Sequence, residues 1–98
     1  MTLTSKQRAY LKRLAQKEEA IFQIGKSNLT PEITEAVSEG FNTREILKVN
    51  ILKNSTDDPM TMAQALADRT GSELVQVIGR KVVLYKPFKE PVIKLPRA

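Results

Sequence analysis

Gln23-Ile24-Gly25-Lys26-Ser27-Asn28-Leu29-Thr30-Pro31-Glu32 changes backbone habit twice within one short stretch. Ala20-Ile21-Phe22-Gln23-Ile24 is an apolar run of strand length, and Gly25 ends it. Thr30-Pro31-Glu32 then opens a helix: a hydroxyl for the N-cap, a proline whose missing N–H costs nothing at the first helical position, and a carboxylate that suits the positive end of the dipole. Strand, basic turn and helix in succession indicate an α/β chain.

The flanking segments extend that reading. Thr4-Ser5-Lys6-Gln7 has the spacing of a capping box, which predicts a first helix over residues 5 to 17. Leu3, Tyr10, Leu11 and Leu14 recur at helical spacing and are expected to face the core. Lys6, Arg13 and Lys17 then line one solvent-facing flank, and Arg8 with Lys12 another. The helix opened by Thr30 should bury Ile33, Val37 and Phe41 and close at Gly40. Residues 44 to 52 alternate, with Leu47, Val49 and Ile51 on one face and Lys48 and Asn50 between them, so a second strand is predicted. Asp58-Pro59 repeats the cap-then-proline signal for a third helix ending near Thr70-Gly71. Leu74 to Ile78 and Val82 to Tyr85 flank Gly79-Arg80-Lys81, the pattern of a β-hairpin. Three prolines from Pro87 onward suggest an extended, poorly fixed end. The predicted architecture is one compact α/β domain over residues 1–88, in the order α-β-α-β-α-β-β, with three helices packed on a four-stranded mixed sheet and an extended tail over 89–98.

Composition narrows the chemistry. The 98 residues are enough for one core. They include no cysteine and no histidine, which removes the usual metal ligands, the usual general base and the strongest neutral-pH nucleophile. Asp57-Asp58 and Glu18-Glu19 are the adjacent carboxylate pairs, and Asp58 is already explained as a helix cap. A non-enzymatic protein without metal, cofactor or small-molecule substrate is therefore expected. Neither a signal-length apolar run at Met1–Lys6 nor a run of roughly 18 apolar residues occurs, so a cytoplasmic protein is expected.

The net charge of +5 is unevenly spread. Lys6, Arg8, Lys12, Arg13 and Lys17 lie in the first seventeen residues with no acidic residue among them, while beyond them basic and acidic residues cancel. A localised basic stripe attracts polyanions over about a Debye length. The turn at Gly25, Lys26, Ser27 and Asn28 could add a second attraction. It precedes a helix start whose first N–H groups lack intrahelical partners, and Lys26 brings a full charge. Gly25 can take positive φ and let another backbone come close. Turns of this composition also serve as plain connections, and Arg80 with Lys81 and Lys86 could equally be a second basic edge or a soluble hairpin turn. Five aromatic residues, none of them tryptophan, do not support base stacking as the main contact, and Tyr85 is expected to be a half-buried strand residue.

Four motifs in order resemble the CRM domain (chloroplast RNA splicing and ribosome maturation) in its small stand-alone bacterial form, the YhbY-like proteins. They are Leu11-Lys12-Arg13-Leu14-Ala15, then Gln23 to Thr30, then Arg44-Glu45-Ile46-Leu47-Lys48-Val49, and last Gln76-Val77-Ile78-Gly79-Arg80-Lys81-Val82-Val83-Leu84-Tyr85-Lys86. The resemblance implies a fold similar to the C-terminal domain of a translation initiation factor. It also implies a GxxG-type loop that binds structured RNA, here Gly25, Lys26, Ser27 and Asn28, supported by Lys6, Arg8, Lys12, Arg13, Lys17 and Arg80. Asn28 stands where the family has its second loop glycine and could donate a hydrogen bond to phosphate or ribose. The partner implied is ribosomal RNA of the large subunit or its precursor particle, bound by a monomer that assists ribosome assembly. Two other readings stay open: an adaptor that docks on a ribosomal protein or assembly GTPase with incidental RNA contact, and a binder of anionic membranes through the first helix. The membrane reading competes with the core for that helix's apolar face.

Overall fold

The computed structural model describes residues 2–25, 29–54 and 58–97. The elements run α1 Ser5–Ala15, β1 Ala20–Ile24, α2 Pro31–Gly40, β2 Ile46–Ile51, α3 Pro59–Thr70, β3 Glu73–Ile78 and β4 Lys81–Tyr85, the order expected from the sequence. Each helix starts on its predicted cap. Thr4 and Gln7 form a reciprocal capping box, both bonds at 3.1 Å. Thr30 Oγ1 accepts from the Ile33 amide and Asp58 Oδ2 from the Thr61 amide, each also at 3.1 Å, with Pro31 and Pro59 in first position. Helix α1 stops two residues short of the predicted end, because the amides of Gln16 and Lys17 turn back to Arg13 and Leu14 in tighter i−3 bonds. Helix α2 ends at Gly40 and passes through Phe41 in a right-handed conformation, whereas α3 closes on Gly71 at φ 66°.

The sheet order is β1-β2-β4-β3. Strands β1 and β2, joined through α2, are parallel, and β4 is antiparallel to both β2 and β3, so the sheet is mixed. Strand β4 is central because both of its faces are apolar: Val82 and Leu84 point to one side, Val83 and Tyr85 to the other, and all four are buried. Two cores result. Helices α2 and α3 cover one face, where Leu47, Val49, Ile51, Val82 and Leu84 meet Val37, Phe41, Met62 and Leu66. Helix α1 covers part of the other, where Leu3, Leu11 and Ala15 meet Ile46, Val75, Val83 and Tyr85. Tyr85 is fully buried rather than half-buried and offers no platform to a base.

The end of the chain, expected to be poorly fixed, is held against the domain by several contacts. The Glu45 side chain, 4% exposed, accepts from the amides of Phe88 at 2.9 Å, Val92 at 2.9 Å and Ile93 at 2.6 Å. Gln7 Nε2 donates to the Pro96 carbonyl at 3.1 Å, and Ile93 and Leu95 pack on the α1-side core. These contacts cross the expected boundary at residue 88. A carboxylate with several N–H donors is a strong anchor, since charge-assisted hydrogen bonds are about twice as strong as neutral ones.

Candidate nucleic-acid interface

Parallel pairing of β1 with β2 brings the start of the Gly25 turn beside the exit of β2. The Leu52 amide donates to the Ile24 carbonyl at 2.8 Å. The β3–β4 hairpin arrives at the same end: the Ile51 amide donates to the Arg80 carbonyl at 2.7 Å, and Arg80 Nη1 donates to the Leu52 carbonyl at 3.2 Å. Gly25 and Arg80, far apart in sequence, therefore flank Leu52 from two sides. The hairpin turn itself is two residues, Gly79 and Arg80, with Gly79 at φ 57°, and both are exposed.

Gly25 does not use positive φ; among the described glycines only Gly71 and Gly79 do. Its small size matters for packing instead. A Cβ there would lie 3.2 Å from Asn54 Oδ1 and 3.3 Å from Leu52 Cδ1, closer than ordinary contact. Lys26, Ser27 and Asn28 lie outside the described residues. The start of α2 offers fewer free donors than an uncapped helix, because Pro31 has no N–H and the Ile33 amide is already held by Thr30. The helix terminus by itself therefore offers less to an anion than the sequence pattern suggests.

The basic residues of α1 divide between two flanks, but not all are free. Arg8 is half-buried, and its Nη1 donates to the Val75 carbonyl at 3.1 Å and to the Leu74 carbonyl. The β3–β4 register shifts between Leu74 and Gln76, and a bulge of this kind leaves backbone groups unpaired. Arg8 satisfies them, so its guanidinium holds an edge strand in place rather than facing solvent. On the outer flank Arg13 sits 5.9 Å from the centre of the Tyr10 ring, at the limit of a cation–π contact, and Lys17 borders the same shallow groove. Lys6 is exposed. Lys12 points the other way, over the sheet toward Lys48 and Lys81.

Lys86 is also accounted for, since its Nζ donates to the Thr70 carbonyl at 2.9 Å and closes the end of α3. Lys48 was legible only as the polar member of an alternating strand; its place beside Lys12 depends on where α1 crosses the sheet. Among the described residues there is no group of three or more carboxylates that could hold a metal ion, and no helix is long and apolar enough to cross a membrane.

The CRS1 / YhbY (CRM) domain profile matches residues 3–86. "Probable RNA-binding protein YqeI" of Bacillus subtilis is 39% identical over 95 residues, covering 96% of this chain and 99% of that one. A Haemophilus influenzae protein named "RNA-binding protein" is 31% identical over 96 residues, with 98% and 97% covered. The solution structure of a Staphylococcus aureus protein superposes with a TM-score of 0.82 at 40% identity, over 97% of this chain and all of that one.

Proposed function

The chain belongs to the CRS1 / YhbY (CRM) domain family, and from that premise we propose that it is a non-enzymatic RNA-binding protein that associates with large-subunit ribosomal RNA and assists ribosome assembly. The observation that carries the reading is the convergence of the Gly25 turn and the Arg80 hairpin on Leu52, at one end of a sheet flanked by a helix with no acidic residue. The names of the relatives from Bacillus subtilis and Haemophilus influenzae support RNA as the ligand class.

In this reading the backbone at Gly25 to Asn28 lies against a phosphodiester, and Lys26, Arg80, Lys12 and the outer cations Lys6, Arg13 and Lys17 neutralise neighbouring phosphates. Affinity then falls steeply with salt, because each neutralised phosphate releases condensed counterion. The protein acts as a cytoplasmic monomer and holds folded RNA without changing a covalent bond. The test is crosslinking of the protein to RNA in living cells, followed by sequencing of the recovered RNA. Enrichment of a confined region of large-subunit ribosomal RNA is expected, and recovery at background level would overturn the proposal.

A further inference from the structure

Helix α1 covers only part of the sheet face it packs on, and its last turn leaves the hairpin end bare. The strand register sets which residues share that face. Val83 of β4 pairs with Lys48 of β2 and Gln76 of β3, and one step along, Lys81 pairs with Asn50 and Ile78. Between these rows and the last turn of α1 lies a cleft of about 110 Å³. Buried Ala15 and Val83 lie at its floor and exposed Ile78 adds apolar surface beside them, with the Gln16 and Gln76 amides as walls and Lys12, Lys48 and Lys81 at the rim. No carboxylate lines it, and among the described residues none of the three lysine ammonium groups has a hydrogen-bond or ion-pair partner.

Three ammonium groups around one cleft repel each other until an anion arrives, so the charge calls for a polyanion. The interior calls for something more specific. A paired RNA helix keeps its base faces stacked inside and presents phosphates, 2′-hydroxyls and base edges, which the lysines and amides could meet but which would leave the apolar floor unused. An unpaired nucleotide uses all three parts. Its flat base is about the size of the cleft, its polar edge suits primary amides that each carry a donor and an acceptor, and its flanking phosphates suit the lysines.

We infer that this cleft binds one unpaired nucleotide of the RNA. The base lies against Ile78 over the Ala15 and Val83 floor, its edge bonds to Gln16 and Gln76, and the adjoining phosphates are held by Lys12, Lys48 and Lys81. The inference rests on the RNA-binding reading above and adds to it a site away from the Gly25 turn. It also gives the protein a preference for looped or bulged RNA over continuous duplex.

Two fluorescein-labelled RNAs with equal numbers of phosphates test it: a stem-loop with a mixed-sequence unpaired loop, and a blunt duplex. The full chain is expected to bind the stem-loop about tenfold or more tightly than the duplex. In K48A/K81A the stem-loop affinity falls, and the slope of log affinity against log salt flattens by about 1.4, the share of two single-stranded phosphates. Gln76→Leu keeps the salt slope and loses the preference for the stem-loop. Thermal unfolding confirms that both variants are folded. Equal binding of the two RNAs by the unmodified chain would overturn the cleft, as would wild-type affinity and slope in both variants, while leaving RNA binding through the Gly25 turn intact. Failure of the unmodified chain to bind either RNA would sink the RNA-binding reading and the cleft with it.

Discussion

Replacing Gly25 by alanine and by aspartate separates the packing role of this position from its proposed place beside a phosphate. A Cβ would sit 3.2 Å from Asn54 Oδ1 and 3.3 Å from Leu52 Cδ1, and both are side-chain ends that can retreat by a few tenths of an ångström. Asn54 is exposed, so relaxation costs less than overpacking a closed core, about 0.5–1 kcal/mol against the usual 1–3. For a chain of 98 residues that lowers Tm by about 2–8 °C. The aspartate carboxylate adds little further cost to the free protein, because rotation of the Asn54 amide turns its Nδ2 toward the new group. In the complex, however, a carboxylate about 6 Å from a phosphate is repelled by about 0.7 kcal/mol at the dielectric of water and about 2.8 kcal/mol at an effective constant of 20. Gly25→Asp should therefore raise the Kd for the RNA recovered by crosslinking roughly 3- to 100-fold, with Gly25→Ala close to wild type. The gap between the two should narrow as salt rises and the Debye length shrinks. Fluorescence anisotropy across a salt series measures it. Equal affinities for the two folded variants would refute the placement of a phosphate at Gly25.

Glu45→Ala removes the acceptor of three tail amides and should destabilise the protein by about 2–4 kcal/mol, with faster hydrogen exchange at Phe88, Val92 and Ile93. An unchanged Tm with unchanged protection would show that the tail is held by Ile93 and Leu95 alone. Burial, with a smaller push from the Glu45 carboxylate, raises the Tyr85 phenol above its ordinary value of 10.0. The unfolded chain loses that proton first, so Tyr85's contribution is intact below pH 10 and lost as pH climbs toward the raised folded value. Urea titrations from neutral to alkaline pH should show this decline, and Tyr85→Phe should flatten it. Arg8→Ala should cost about 1.5–3 kcal/mol by freeing the Leu74 and Val75 carbonyls while leaving the RNA salt slope intact. A reduced slope at unchanged stability would instead make Arg8 a phosphate contact.

The elements announce themselves through neighbours a few residues apart. A cap and its amide are three residues apart, proline fixes its own φ, and alternation is a property of one strand, so order and type of element were legible from the chain. Placement of Lys48 opposite Leu47, Val49 and Ile51 was legible for the same reason. Parallel pairing of the first two strands and the antiparallel hairpin also followed from the connections. The central position of β4 did not, because it depends on which strand can bury both faces against two separate helical layers. Arg8 looked like the other cations of its helix, since the bulge that engages it lies 66 residues away. Glu45 looked like one charge in an alternating strand until the tail folded back over it. Propensity and capping act within a turn of the chain, and these the residues declare alone. Which charge stays free to meet RNA, which one is consumed in holding the fold, and whether three lysines share a cleft are settled only when distant segments pack, because only packing determines what each side chain finds next to it.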